Sequence, residues 1–266
     1  MTSEITRWSA VETAQRIRDK DISVLEVTRA HIARMEAVNP IINAITTPVG
    51  EALDVAKKLD AAGVPDNCGP LYGVPVTTKI NVDQAGYANS NGVPAFKNND
   101  GPHDSPVVEN LKTAGAVIIG RTNTPEFSMR WCTSNPLHGV SLNPWNADVT
   151  PGGSSGAAAA AVASGIGAIA HGNDLGGSLR YPAYCCGVAT IRPSFGRVPA
   201  GSPNQPNERP PLTQTMSVQG PIARSIADVR AGLQAMAMPN SHDPLQVNAH
   251  DSGRTRGGTV TVGYAL

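Results

Sequence analysis

Two serines and one lysine in this chain have surroundings suited to acyl-transfer chemistry. Ser154 lies in GGSSG at 152–156, Ser178 ends the GGS of 176–178, and Lys79 sits in the apolar run GVPVTTKI. A serine hydroxyl attacks a carbonyl only when a base takes its proton. Lysine can be that base when burial disfavours its ammonium form and lowers its pKa. The plainer alternative is a surface lysine at a strand end, its stem covering apolar area. The glycines flanking Ser154 and Ser155 permit positive φ and close approach of other groups, and such turns can hold rare cis non-proline bonds. An ordinary loop with a serine N-cap would leave the same pattern. In GNDLGGSLR at 172–180, the N–H groups of Leu175, Gly176, Gly177 and Ser178 could point into one concavity. Such donors stabilise the oxyanion of a tetrahedral intermediate, and Ser178 would stand beside it as the nucleophile. A glycine-rich helix start that binds nothing is the competing explanation.

Elements that could position these groups follow from pattern and punctuation. Ser9 with Glu12 and Ser23 with Glu26 are both S-x-x-E capping boxes, and Asn39-Pro40 is expected to stop the second helix. A third helix spans Glu51 to Ala62 and closes at Gly63. Val74–Ile80, Ala116–Ile119, Ile166–His171 and Val188–Ile191 are β-compatible, and helices are expected over Ser105–Ala114, Gly156–Ser164 and Ser225–Met238. The stretches 201–213 and 239–258 read as loops, and Thr259–Leu266 alternates like a strand. The alternation predicts an α/β fold, a mixed and mostly parallel twisted sheet covered by helices.

Composition narrows the class. The chain has 266 residues, 21 basic against 21 acidic, and 4% aromatic content. Balanced charge and few aromatics leave no footprint for nucleic acid or an anionic membrane. The most apolar stretch, Ala157–Ala170, is interrupted by Ser164, Gly165 and Gly167 and is too short to span a bilayer. No signal peptide is visible, and the four cysteines lack CxxC spacing, so free thiols and a cytoplasmic location are expected. His103-Asp104 reads as a turn rather than a metal site, and Trp131 and Trp145 as core or pocket wall.

Several stretches together resemble the amidase signature family. They are GVPVTTKINVDQAG at 73–86, RTNTPEFSMRW at 121–131, LNPWNADVTPGGSSG at 142–156 and GPIARSIADVRAGLQAMA at 220–237. The longest is PGGSSGAAAAAVASGIGAIAHGNDLGGSLRYPAYCCGVATIRPSFGRVP at 151–199. The resemblance implies a Ser–cis-Ser–Lys triad. Lys79 would be the base, Ser154 the bridging serine on a cis peptide bond, and Ser178 the nucleophile, with the amides of Leu175, Gly176 and Gly177 at the oxyanion. It implies hydrolysis of a carboxamide C–N bond to a carboxylate plus ammonia or an amine, through a seryl acyl-enzyme and with neither cofactor nor metal. The partner would be a small-molecule amide, with no nucleic acid and no membrane; a homo-oligomer stays open. The chain departs from the family pattern at Ile80, where the family has Asp, at Ala157 in place of glycine and at Asn173 in place of threonine.

Family members are typically much longer. The resemblance therefore implies a single amidase-type domain over 1–266, truncated at its C-terminus. Its parts would be a helical segment 1–65, a catalytic core 66–200, and a loop, helix and terminal strand over 201–266. Such a chain would be marginally stable and weakly active or inactive. Two alternatives accompany this expectation: an inactive remnant or interaction partner, and a glutaminase subunit of an amidotransferase. A third, the G-x-S-x-G nucleophile elbow with Ser154 as nucleophile, requires a strand directly before the turn, where NPWNADVTP is a poor one.

Overall fold

The computed structural model describes residues 2–204 and 210–247; the strand expected at Thr259–Leu266 lies outside them. The chain opens with helices α1 (Thr2–Ile5), α2 (Ala10–Arg18) and α3 (Val24–Ile42). At α3, Ser23 and Glu26 form the full reciprocal capping box. At α2 only half of it forms: Ser9 caps Glu12 N, while the Glu12 carboxylate turns to Arg16 at 2.9 Å. Pro40 does not stop α3, contrary to expectation. It forfeits one backbone donor in the last turn, and Asn39 locks that turn by exchanging two side-chain hydrogen bonds with the backbone of Ile45, at 2.8 and 2.7 Å. The helix ends where Asn43 takes a left-handed φ of 47°.

Strand β1 (Ile45–Pro48), unforeseen in the pattern because of its proline and two threonines, follows directly. Then come α4 (Ala52–Ala62), β2 (Pro75–Lys79), α5 (Pro106–Thr113) and β3 (Val117–Thr122). A small hairpin, β4 (Ser134–Asn135) and β5 (Gly139–Val140), precedes α6 (Gly156–Ala163) and β6 (Ile169–Asp174). The rest is α7 (Arg180–Cys186), β7 (Ala189–Thr190), α8 (Pro211–Met216), β8 (Val218–Ala223) and α9 (Ile226–Met236). Three of these were not foreseen: α7, β8, and α8, whose first three residues fall in the expected 201–213 loop.

The main sheet has six strands in the order β1-β3-β2-β6-β8-β7. β3, β2 and β6 are mutually parallel, β8 runs against β6, and β7 against β8, so only β1 and β8 oppose the common direction. Helices flank this mixed sheet: α9 packs on β8 and β6, α3 and α4 on β3, and α6 on β6, β8 and β2. Helix α6 is alanine-rich and wholly buried from Gly156 to Val162, so its backbone approaches the sheet closely. Strand β6 begins three residues later than the apolar run suggested. Gly165 and Gly167, at φ +80° and +74°, keep the earlier residues in turns. That shift carries Asn173 and Asp174 to the strand's end.

This topology brings the chemistry to one place. The parallel strands β2, β3 and β6 end on the same side of the sheet, with Lys79 in register with Thr122. Carboxyl ends of parallel strands are where α/β sheets place their sites. Fully buried Arg121 on β3 steadies the loop leaving Lys79, donating to Val82 O and Ala88 O, both at 2.6 Å. Desolvation lowers its pKa to about 10, so it keeps its charge at neutral pH.

Candidate active site

Lys79 is the last residue of β2 and has no exposed surface. Its Nζ lies 2.7 Å from Ser154 Oγ, 2.8 Å from Asn173 Oδ1 and 3.1 Å from Ser155 Oγ. The hydrogen bonds around these atoms determine what each can do. Asn173 Nδ2 donates to Asn81 Oδ1 at 3.0 Å, so its Oδ1 faces Lys79 and only accepts. The Ser155 hydroxyl donates to Asn173 O at 3.3 Å, so it too accepts from Lys79. A neutral amine has two hydrogens, and these two acceptors use both. Its lone pair then faces the nearest neighbour, the Ser154 hydroxyl.

The electrostatics favour that neutral form. Desolvation pushes the Lys79 pKa well below 10.5, opposed only by the charge of Asp174. The positive end of α6, starting at Ser155, adds to the push. Beside it, His171 is buried and its Nε2 lies 2.8 Å from Gln219 Oε1. Burial lowers its pKa to about 4, so it is a neutral, satisfied neighbour.

The Gly153–Ser154 peptide bond is cis, as the resemblance implied. Gly153 packs so tightly that a Cβ there would come within 2.6 Å of Arg130 O and Cys132 N. Thr124 Oγ1 donates to Ser154 O at 3.3 Å and pairs with Ser128 Oγ at 3.0 Å, and Ser128 in turn accepts from Asn81 Nδ2 at 2.9 Å. No strand precedes this turn: the residues between β5 and α6 are loop, which removes the nucleophile-elbow alternative.

Ser178 sits in the loop between β6 and α7 and is 8% exposed. Its hydroxyl makes no hydrogen bond among the described residues. Lys79 and Ser154 are thus brought into direct contact, while Ser178 lies in the loop that follows β6 and makes no hydrogen bond to either. Asp174 organises its loop. The buried carboxylate accepts from Gly177 N at 2.8 Å and Leu179 N at 3.1 Å, and pairs with Arg180 at 3.0 Å and Arg192 at 3.4 Å. Burial alone would raise its pKa, but the Arg180 guanidinium and these amides outweigh it and hold the carboxyl below its ordinary value. One expected oxyanion donor is therefore already engaged. The Gly177 amide serves Asp174, which leaves the amides of Leu175 and Gly176 for the oxyanion assignment.

Several members of this site escaped sequence reasoning: Ser155 and Asn173 as direct partners of Lys79, Asn81 and Ser128 behind them, and Asp174. The usable signals were the asparagine two residues after Lys79 and the aspartate of D-x-G-G-S. Trp131 and Trp145, expected in the core or a pocket wall, both lie outside the core at 67% and 73% exposed, and Trp145 lines a cavity with Arg34, Ser164 and Arg224.

Asp174→Asn is expected to loosen the 175–179 turn. The two arginines lose their counter-charge, and stability should fall by about 1–3 kcal/mol. Hydrogen exchange at Gly177 and Leu179 should accelerate in the variant; unchanged protection there would contradict this role.

Comparison with known proteins agrees with this architecture. The family model Amidase matches residues 26–264. An indoleacetamide hydrolase of Bradyrhizobium diazoefficiens is 52% identical over 98% of this chain and 50% of its own. A subunit of the glutamyl-tRNA(Gln) amidotransferase of Carboxydothermus hydrogenoformans is 38% identical over 93% and 50% respectively. Among solved structures, a bacterial aryl acylamidase of the amidase signature family superposes with a TM-score of 0.83 at 31% identity, covering 91% of this chain and 50% of that one. The chain spans about half the length of the curated relatives it matches. With its motifs in order, its sheet and the matched family model, the chain belongs to the amidase signature family.

Proposed function

We propose that this chain carries the acyl-transfer centre of an amide hydrolase, with Ser178 as nucleophile, Ser154 as proton bridge and Lys79 as base. The observation that carries the proposal is the fully buried Lys79 amine within 2.7–3.1 Å of Ser154 Oγ, Asn173 Oδ1 and Ser155 Oγ; in its neutral form, with its two hydrogens on Asn173 and Ser155, its lone pair is left for the Ser154 hydroxyl. Ser178 Oγ bonds to the amide carbonyl carbon as its proton passes to Ser154, whose own proton goes to Lys79. The carbonyl π electrons move to oxygen, facing the amides of Leu175 and Gly176. Collapse breaks the C–N bond, and the nitrogen leaves as ammonia or an amine with a proton returned through Ser154. Water, deprotonated along the same route, then releases the carboxylate and restores Ser178.

The relative named for indoleacetamide hydrolysis, at 52% identity, supports a primary amide with an aromatic acyl group as substrate. A single small-molecule-binding domain is the matching reading of organisation, since one apolar cluster runs from α2 to α9. Among the described residues, no helix is long and apolar enough to cross a membrane. The test is to treat the 266-residue chain with a fluorophosphonate and map the modified peptide, alongside ammonia release from phenylacetamide. Labelling at Ser178 with ammonia release is the expected result; a folded chain that stays unlabelled would overturn the proposal.

A further inference from the structure

We propose that the cavity at the far end of α6 binds a carboxylate carried on an aromatic body. The site is separate from the acyl-transfer chemistry: α6 starts at the catalytic turn, beside Ser155, and this cavity lies at its other end, beside Ser164. The cavity measures about 670 Å³, within the range of small-molecule sites, and its lining is of two kinds. Arg7, Arg34 and Arg224 supply the charge, with no carboxylate in the lining. Ala30, Ala33 and Ala37 of α3 and the indole of Trp145 supply the apolar surface. That indole is held in place by its Nε1–H, which donates to Cys186 O at 2.7 Å.

Capping of α6 accounts for only part of this arginine cluster. Arg34 donates Nε–H to Ser164 O at 2.7 Å. Arg224 donates to Val162 O at 3.1 Å and, through its other terminal nitrogen, to Thr6 O and Trp8 O at 3.2 and 2.6 Å. A guanidinium carries N–H donors on all three nitrogens, so Arg34 keeps both terminal nitrogens unused. The Arg7 side chain makes no hydrogen bond or ion pair among the described residues. The charges do not balance either. A helix C-terminus offers about half a negative charge, and the buried Asp228 acts on Arg224 with one more, against three guanidiniums. Arg16, Arg130, Arg180 and Arg192 each reach a carboxylate; among the described residues Arg7, Arg34 and Arg224 reach none. Ser164 gives a second, independent sign. It lines the cavity at 7% exposed, and its hydroxyl has no hydrogen-bond partner. Buried hydroxyls are nearly always paired, and a carboxylate held by the terminal nitrogens of Arg34 supplies the missing acceptor. An inorganic anion would leave the alanines and the indole uncovered, whereas an aromatic body covers them.

The test follows the indole N–H signals of the isotope-labelled 266-residue chain by NMR, assigned through Trp145→Phe and Trp131→Phe. Sodium phenylacetate should move the Trp145 signal and leave that of Trp131, at the catalytic turn, in place. Neutral phenylacetamide should bind at Trp145 about tenfold more weakly or worse, because it lacks the charge that the arginines meet. Arg7→Gln changes a side chain that holds nothing else in the described protein, and it should weaken phenylacetate roughly three- to tenfold; Arg34→Gln should weaken it at least as much. A Trp145 signal that does not move, equal affinity for the acid and the amide, or an affinity unchanged in both variants would overturn the proposal. Sodium sulfate binding as tightly as phenylacetate would overturn the aromatic part of it. None of these readouts needs turnover or Ser178, so they succeed or fail separately from fluorophosphonate labelling.

Discussion

Lys79→Met should lower Ser178 acylation by about 10³-fold or more while changing stability at neutral pH by no more than about 2 kcal/mol. The two readouts separate because the lysine is fully buried and desolvation favours its neutral amine. Methionine keeps the stem and discards an amine that folding must strip of its proton, which is a gain. It also leaves Ser154, Ser155 and Asn173 without their common partner, which is a loss of similar size. The pH dependence supplies the sign. The folded pKa of Lys79 lies below its unfolded value, so between the two the unfolded chain holds more protons, and stability rises with pH up to about 10.4. Lys79→Met should remove this rise from a series of urea melts. The acylation rate of the parent should climb with pH and level off well below the ordinary lysine range. A parent rate still climbing through pH 10, or a variant with the parent's stability slope, would show that the amine is charged in the folded state.

The second large effect is a contrast between serines. Ser178→Ala should abolish covalent labelling, because it removes the hydroxyl assigned to form the bond to the probe. Ser154→Ala should slow labelling by about 10²–10⁴-fold without abolishing it, since it removes the proton route and leaves the nucleophile. Ser155→Ala should have a smaller effect, as Ser155 only accepts from Lys79 and donates to Asn173 O. Mapping the modified peptide in each variant decides the matter. Label retained in Ser178→Ala and lost in Ser154→Ala would make Ser154 the nucleophile and reverse the assignment.

Much of this architecture was legible because its signals are local. The Ser23–Glu26 capping box, the Gly63 and Gly115 stops and the β-prone run before Lys79 each concern a few neighbouring residues. The failures were local rules overridden from a distance. Pro40 stays helical because Ile45 ties down Asn39, and β8 forms because it can pair with β6 along six positions, from Val218 to Ala223. For Trp131 residue type left core and pocket wall both open, and the structure excludes the core: its backbone packs on Gly153 while the ring stays exposed.

By itself the sequence determined which groups are available and in what order: a lysine ending an apolar strand, a serine pair between glycines, and a serine after D-x-G-G. The tertiary structure decided their chemical state. Ser154 and Asn173 reach Lys79 across 75 and 94 residues of chain, Asp174 takes the Gly177 amide out of the oxyanion set, and the closing of α6 over the sheet removes the water that would keep the amine charged. A pKa reflects the sum of everything packed around a group, and that sum exists only once distant segments have met.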